Sequence, residues 1–480
     1  MQNMWFYRRE KGLLLVTVEA PGEMKAVNSE GVIHLEKKVS SKFIFFFGSF
    51  AGILFGYDIG IIAGAEGHIQ EEFQLSPLWL GIVVSSLMGG AIIGSILSGL
   101  LGDKFGRRKL ILVSSVIFFV GAIGSAVAPE EISLTIARIF LGTAVGTASS
   151  LVPAYMSEIA PAKIRGKLSG LNQLMIVTGL LLSYIVAFVF EPIPDSWRWM
   201  LGSAALFAIV LYIGMLKLPE SPRYLIKHGM AHKAREVLGS LRSSREEIES
   251  EMQEILEVAK EERSGIRELF QKKFRMALFI GVGMATLQQI QGANSIVYYA
   301  TSIARNVGLA PQVAAGFTVI VGVIFVVTTV IFLQFVDRFD RRTILTVGGS
   351  GMALSFFAPA ALGALGVSEG ILNWVTLISL CCFILCYAFS WAPITWIIIG
   401  EIFPLSVRGI GAGISSAFNW TGSLAVGLVF PILADQFSFG VIFSSFGVIC
   451  LIGLLFTRFV LVETKGRSLE QIETDMAARV

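Results

Sequence analysis

The sequence predicts an all-α membrane protein with twelve transmembrane helices arranged as two six-helix bundles. Of the 480 residues, 54% are hydrophobic and only 15% are charged, whereas soluble chains carry about 25% charged residues. The charges are clustered, so that neutral runs of about 20 residues, long enough to cross a bilayer, remain between them. The basic residues concentrate on one side of these runs, and the two halves of the chain repeat each other's motifs.

The polar segments divide the chain into a tail, a first bundle, a linker, a second bundle and a second tail. We predict these parts at residues 1–42, 43–217, 218–275, 276–461 and 462–480. The first part is polar and mixed, which predicts a loose cytoplasmic tail, and Met24 is an alternative start. The linker contains MAHKAREVLGSLR and REEIESEMQEILEVAKEE, whose patterns predict short amphipathic helices bridging the halves. A plain solvated linker is the alternative.

Twelve neutral runs mark the predicted spans. They start near Phe43, Leu78, Leu110, Ile132, Leu168, Trp199, Met276, Gln312, Thr343, Ile371, Ile410 and Phe437. The loops after spans 2, 4 and 8 carry clusters of Lys and Arg, whereas the loops after odd-numbered spans hold only Arg198 and Arg305. Because short basic loops remain cytoplasmic, we predict a multi-pass protein of the inner or plasma membrane with both termini in the cytoplasm.

Two motifs occur once in each half. DKFGRRK after span 2 matches DRFDRRT after span 8, and EIAPAKIRG after span 4 matches EIFPLSVRG after span 10. A parallel repeat of six spans is typical of a rocking transporter whose substrate site lies between the halves. Acidic and basic residues in both copies predict a cytoplasmic gate, whose ion pairs hold the halves together until the site opens inward. The alternative is charge that only fixes topology. The gate residues are Glu158, Arg165, Glu401, Arg408, Asp103, Arg107, Asp337 and Arg341.

Two charged side chains, Asp58 in span 1 and Arg138 in span 4, are predicted to lie well inside the membrane. A charge at that depth costs at least about 2.5–3.5 kcal/mol, so it normally has a partner and a function. Gly142 and Gly146 share the face of Arg138, and small residues at this spacing allow close helix packing. We therefore expect Arg138 to approach Asp58 and to control its protonation, which would make the pair a proton-coupling site. A static ion pair and an aspartate in an aqueous vestibule are the alternatives.

Polar side chains and aromatic rings in spans 5, 7, 10 and 11 predict the substrate class. Span 7 reads ATLQQIQGANSIVYYA, and its amides are too numerous for contact with lipid. Amides both donate to and accept from hydroxyl groups, so they suit a neutral polyhydroxyl ligand, and Gly292 permits a break in this helix. Hydrogen bonding between helices is the alternative role for these amides.

These motifs together resemble the sugar porters of the major facilitator superfamily, over about residues 43–473. The resemblance is carried by FGYD, DKFGRR, RIFLGTAVG, PAYMSEIAPAKIRG, PESPRYLI, QQIQGANSIVYY, VDRFDRR, EIFPLSVRG and ETKG. It is strongest to bacterial proton symporters for galactose, arabinose and xylose, and it assigns the proton-coupling role to Asp58 with Arg138. The sugar contacts that it implies are Gln173, Gln288, Gln289, Asn294, Trp396 and Asn419.

The chain departs from the family pattern at several positions. Phe325 replaces a span-8 amide, and Leu180 replaces a second span-5 glutamine of the xylose symporter, which argues against an identical pocket. Asp340 and Ala392 replace glycines, and Val462 replaces a proline.

The sequence therefore predicts a proton-coupled monosaccharide importer that works by alternating access. Its partners are the sugar, a proton and the lipid bilayer, with no nucleic acid, and we expect a monomer. A facilitative sugar uniporter or a transporter-like sugar sensor are the alternatives. We expect no enzyme activity, cofactor or metal, because no catalytic set, metal cluster or phosphate loop is recognisable. The identity of the sugar stays open.

Overall fold

The computed structural model describes most of the chain. The described residues are 4–9, 12–20, 23–28, 31–35, 41–160, 165–242, 244–260, 269–271, 274–336, 338–403, 407–467 and 471. Side chains are described from residue 43 onward, except at 99–100, 165–169 and 257–260.

Twelve helical segments form the membrane domain within the described residues. They are span 1 (Ser41–Ser49 and Ala51–Phe73), span 2 (Pro77–Phe105), span 3 (Arg107–Ala126), span 4 (Glu131–Ile159), span 5 (Arg165–Phe190), span 6 (Ser196–Leu216), span 7 (Arg275–Ile290 and Ala293–Asn306), span 8 (Pro311–Phe335), span 9 (Arg341–Ala364), span 10 (Glu369–Phe389 and Trp391–Ile402), span 11 (Arg408–Gln436) and span 12 (Phe439–Phe459). Eleven of them are long and apolar enough to cross a membrane as helices.

Span 7 is the twelfth, and it consists of two shorter helices joined at Gly292. This residue has a φ of +95°, which side-chain-bearing residues rarely adopt. A Cβ atom there would also lie 2.8 Å from the Phe356 ring. The expected break at Gly292 is therefore confirmed. A second irregularity follows at Tyr299, whose φ of −124° and ψ of 21° are not helical. Span 7 can thus bend at two points.

The segments outside the membrane domain differ in how well the sequence predicts them. The expected linker helices are confirmed as Ala231–Leu241 and Arg245–Lys260, preceded by the short helix Pro222–Lys227. The N-terminal tail was expected to be loose, and this expectation is wrong. Instead, the strands β1 (Met4–Arg9), β2 (Gly12–Ala20), β3 (Glu23–Asn28) and β4 (Gly31–Leu35) pair in sequence order as an antiparallel meander. Their many β-branched and aromatic residues favour extended backbone.

The spans form two groups, spans 1–6 and spans 7–12, and three pairs of spans make the most extensive contacts between them in the described residues. These pairs are spans 2 and 11, spans 5 and 8, and span 1 with the second helix of span 7. We call the end of the bundle that carries Arg107, Arg108, Arg341 and Arg342 the basic end. We call the opposite end, which carries His68, Glu191 and Arg305, the far end.

The contact between spans 2 and 11 is closest near the far end. A Cβ atom on Gly81 would lie 2.4 Å from the carbonyl oxygen of Leu428. Two turns further along span 2, a Cβ atom on Gly89 would lie at an ordinary 3.6 Å from Leu424. Because the nearest atom at Gly81 belongs to the backbone, the two helices touch main chain to main chain there, toward the far end.

Candidate functional site

Asp58 and Arg138 are both buried inside the membrane domain, each 1% exposed. Their charges act on each other, yet no ion pair or hydrogen bond joins them among the described residues. Asp58 Oδ2 and the two terminal nitrogens of Arg138 are buried without a hydrogen-bond partner in the described part of the chain. A buried polar group of this kind is costly unless another state of the protein gives it a partner.

The glycine face of span 4 explains the position of Arg138. A Cβ atom on Gly142 or Gly146 would lie 2.0 Å from a carbonyl oxygen of span 2, so the expected close packing occurs, with span 2 as the partner. Arg138 Nε donates to the carbonyl oxygen of Val83 on span 2 at 3.0 Å. The two terminal nitrogens of the guanidinium remain without a hydrogen-bond partner among the described residues, and its charge acts on Asp58.

The predicted amides of spans 7 and 11 form one hydrogen-bonded network. Gln288 donates to the carbonyl oxygens of Trp391 and Ala392 at 3.1 and 2.8 Å, and it accepts from Asn419 at 2.7 Å. These bonds fix the first helix of span 7 against the kink of span 10 and against span 11. Gln288 is therefore largely occupied by protein partners.

A second part of the network surrounds Asn294, just after the break in span 7. Asn294 donates to Gln289 and, at 3.1 Å, to Ser423 of span 11. Ser423 also hydrogen-bonds the hydroxyl of Tyr298 at 2.6 Å. Gln289 and Asn294 remain half-buried, so their amides are accessible to a ligand.

The other two predicted contacts are also accessible. Gln173 on span 5 is half-buried, and Trp396 on span 10 is 42% exposed. Phe55, three residues before Asp58, contacts Trp420 of span 11 with 5.3 Å between ring centroids. This aromatic pair joins the two groups of spans beside the amide network. At the position of the missing span-8 amide, Phe325 is buried against Tyr387.

At the basic end, predicted gate residues of spans 1–6 pair with each other. Arg107 contacts Asp103 at 2.8 Å and Glu158 at 3.2 Å. Glu158 also accepts from Ser221, the residue after Glu220. Glu220 in turn accepts the backbone N–H of Arg108 at 3.0 Å, at the start of span 3.

Spans 7–12 repeat this arrangement. Arg341 lies 3.6 Å from Glu401, which accepts from Thr464 at 2.5 Å. Glu463 accepts the backbone N–H groups of Arg341 and Arg342 at 3.1 Å, at the start of span 9. Sequence reasoning did not single out Glu220 and Glu463, although the repeated Glu-Ser and Glu-Thr pairs after spans 6 and 12 were a usable signal.

Of the remaining predicted gate residues, the structure describes the side chain of Arg408 alone. Arg408 donates to the carbonyl oxygen of Phe403 in its own half at 3.0 Å. Asp337 and the side chain of Arg165 lie outside the described residues. The contacts described here for Arg107, Glu158, Arg341 and Glu401 thus lie within the half to which each residue belongs.

At the far end, a cluster that sequence reasoning missed does join the halves. Glu191, just after span 5, bonds His68 of span 1 and Arg305 of span 7, each at 2.8 Å. Burial alone would raise the pKa of the Glu191 carboxyl, but the hydrogen bond and charge of His68, together with Arg305, outweigh it and hold the pKa below its ordinary value. Glu66 of span 1 accepts a hydrogen bond from Ser302 of span 7.

The described residues also bear on metal binding. Among them, no group of three or more His, Cys, Asp or Glu side chains is placed to hold a metal ion.

Comparison with known proteins gives a consistent result. The family model for "Sugar (and other) transporter" matches residues 44–476. A D-xylose transporter from Levilactobacillus brevis is 42% identical over 444 residues, which cover 92% of this chain and 97% of that protein.

Solved structures of the xylose transporter XylE are also similar. The proton:xylose symporter XylE bound to 6-bromo-6-deoxy-D-glucose is 30% identical, with a TM-score of 0.75 over 91% of this chain and 98% of that one. A partially occluded inward-open conformation of XylE from E. coli is 30% identical, with a TM-score of 0.78 over 89% of this chain and 99% of that one.

Proposed function

The chain belongs to the sugar (and other) transporter family, and from this premise we propose that it carries a monosaccharide, a hexose or a pentose, across the cell membrane together with a proton by alternating access. Its relatives are transporters, not enzymes. The fold is that of the major facilitator superfamily, which matches the twelve-span expectation. The similarity to a proton:xylose symporter supports both the substrate class and the coupling ion.

The observation that carries the proposal is the buried and unbonded pair of Asp58 and Arg138. A buried carboxyl without a cationic partner is more stable in its neutral form, whereas contact with a guanidinium favours the ionised form. Protonation of Asp58 then accompanies sugar loading and closure. Renewed pairing with Arg138, after the site opens to the other side, releases the proton.

The sugar site in this proposal lies between the two halves, where the accessible amides and rings converge. Gln289, Asn294 and Gln173 are half-buried and suited to hydroxyl groups, and the exposed ring of Trp396 can cover a C–H face of the sugar. Gln288 and Asn419, already bonded to each other, form the wall that orients these groups.

We further propose that the basic end faces the cytoplasm, with both termini on that side. The closed far end then corresponds to a conformation open to the cytoplasm. The similarity to an inward-open XylE structure supports this assignment. In this proposal the protein acts as a monomer and imports its substrate.

Proton coupling is tested with Asp58→Asn in proteoliposomes under an imposed proton gradient. We expect sugar accumulation to be lost, while exchange of labelled for unlabelled sugar continues, because the neutral amide imitates only the protonated state. Asp435→Asn, which removes an exposed carboxylate from span 11, is the control and is expected to accumulate sugar like the unmodified protein.

Accumulation by Asp58→Asn would contradict the coupling role of this residue. Sugar-induced alkalinisation outside the vesicles separates symport from the alternative of a facilitative uniporter, which produces none. Competition among galactose, glucose, xylose and arabinose in the same vesicles identifies the preferred sugar.

A further inference from the structure

Glu66 is a third ionisable group buried in the membrane domain, besides Asp58 and Arg138. It lies eight residues after Asp58 on span 1, about 12 Å nearer to the far end at 1.5 Å per residue. It is 1% exposed. One oxygen accepts a hydrogen bond from Ser302, and the other, Oε2, is buried without a hydrogen-bond partner among the described residues.

The hydrogen bond of Glu66 connects the two halves of the molecule. Glu66 belongs to span 1, whereas Ser302 belongs to the second helix of span 7. Ser302 follows the irregular residue Tyr299 by three positions, so the segment that carries it can move separately from the rest of span 7. Opening of the far end therefore removes Ser302 and brings water to the Glu66 carboxyl.

Two basic side chains near Glu66 could offset its burial, but both bind another carboxylate. His68 and Arg305 favour a charge on Glu66, yet Glu191 holds each of them at 2.8 Å. The hydroxyl of Tyr299, also near Glu66, donates to a backbone carbonyl of span 11.

The charged groups on the remaining neighbouring spans also have other partners. Arg138 on span 4 donates to the backbone of span 2 and acts on Asp58. Arg198 on span 6 binds Glu72 at 2.7 Å. In the closed far end, Glu66 thus has one hydroxyl donor and no ion pair among the described residues, and an ionised carboxylate in such a site is strongly disfavoured.

We propose that Glu66 is a second proton-binding group, which takes up a proton when the far end closes and releases it when the far end opens to water. Glu66 is separate from the coupling pair of Asp58 and Arg138. This role of Glu66 rests on the proposed function only in that the far end opens and closes during transport. Closure of the far end is therefore favoured by acidity and weakened as the pH rises.

The pH dependence of closure that we expect from Glu66 has the opposite sign to the one expected from Glu191 in the neighbouring cluster. The pKa of Glu191 is held below its ordinary value in the closed state. Its contact with Arg305, which joins the halves, therefore stabilises closure above about pH 4.5 and is lost as the pH falls further. A loss of closure on the alkaline side is therefore not the response expected of Glu191, whereas a loss on the acidic side is.

The test measures the distance across the far end in the full-length protein in lipid nanodiscs. Spin labels are placed by Val127→Cys and Leu365→Cys, two exposed positions on opposite halves, after replacement of the four native cysteines by alanine. Between pH 5.5 and 8.5 we expect the closed population of the otherwise unmodified protein to fall by roughly tenfold or more, since one pH unit across a linked titration corresponds to a tenfold change.

Three variants identify the group. Glu66→Gln is expected to stay closed across the range, because its side chain keeps a hydrogen-bonding carbonyl and cannot ionise. Glu66→Asp is expected to retain an alkaline opening, and so is Glu191→Gln. A pH-independent distance without these substitutions, an unchanged alkaline opening in Glu66→Gln, or its loss in Glu191→Gln would overturn the proposal.

The distance measurement does not depend on sugar accumulation. Retained accumulation in Asp58→Asn would refute the coupling proposal and leave the role of Glu66 intact. An unchanged response in Glu66→Gln would refute the role of Glu66 and leave the coupling proposal intact.

Discussion

The far end and the basic end both carry ion pairs, but they use them differently. At the far end, Glu191 of one half binds Arg305 of the other, and spans 2 and 11 touch main chain to main chain. At the basic end, Arg107 pairs with Glu158 in the first half and Arg341 with Glu401 in the second. The far end thus holds the halves together, whereas each basic network holds one half together.

This difference shows what a charge pair can contribute to a rocking movement. A pair within a half moves as part of a rigid body and does not favour either end of the movement. A pair between halves contributes only while its end is closed, so it shifts the equilibrium between states by its full energy. The predictions below test this distinction.

The largest loss of the closed far end is expected from Gly81→Ala on span 2. The added Cβ atom would lie 2.4 Å from a backbone oxygen of span 11, and a backbone atom cannot rotate away as a side chain can. Overpacking of this kind costs about 1–3 kcal/mol, so the closed far end should lose roughly 5- to 150-fold in population. The distance between labels at Val127→Cys and Leu365→Cys measures it.

The matched control for this substitution is Gly89→Ala on the same helix. Its Cβ atom would meet Leu424 at an ordinary 3.6 Å, and we expect no measurable change in the distance. Equal effects of the two substitutions would show that the main-chain contact near Gly81 does not control closure.

A smaller loss of the closed far end is expected from Arg305→Ala. The substitution removes a hydrogen bond to the buried Glu191, and such a bond to a charged group contributes about 1.5–3 kcal/mol. Because Arg305 is 24% exposed, we expect the lower part of that range, about a tenfold loss of the closed state by the same measurement. Arg198→Ala is the control, since it removes an arginine of similar exposure whose carboxylate partner lies in the same half. A comparable shift in the control would contradict the distinction.

The smallest effect is expected from Glu401→Gln at the basic end. If Glu401 reaches across to the other half when the basic end closes, as the repeated motif predicts, its loss disfavours that closed state. Exposed pairs contribute about 0–1 kcal/mol, so labels across the basic end should report at most about a fivefold shift toward opening. Asp340→Asn, which removes an exposed partner of Lys465 in the same half, is the control. An identical response in both variants would argue against a role of Glu401 in the cytoplasmic gate.

Much of the fold could be predicted from the sequence, because a membrane restricts the chain to long apolar helices and the two halves repeat. Even the interruption of span 7 was readable from Gly292. Its neutral run marks span 7 in the sequence, although neither of its two helices, of 16 and 14 residues, would cross a membrane alone. The strands of the tail were not predicted, because a mixed polar segment gives no periodic signal and its pairing depends on neighbouring segments.

The site was less predictable, because it depends on the conformation as well as on the composition. The sequence identified Asp58 and Arg138 as unusual charges, but it could not place the guanidinium against span 2. Glu66 was overlooked because it follows the apolar run, although the helix continues to Phe73 and buries it. Which end is closed depends on the energies of whole interfaces, and no local motif contains that information.

The two carboxylates Glu220 and Glu463 have a consequence for how the protein is made. Each follows the last span of its half, and each binds the start of a helix formed much earlier, span 3 or span 9. During synthesis, the hydrogen bonds of Glu220 and Glu463 can form only after the last residues of the corresponding half have left the ribosome. The first half can therefore form these bonds before the second half has been synthesised, so the two halves are completed one after the other.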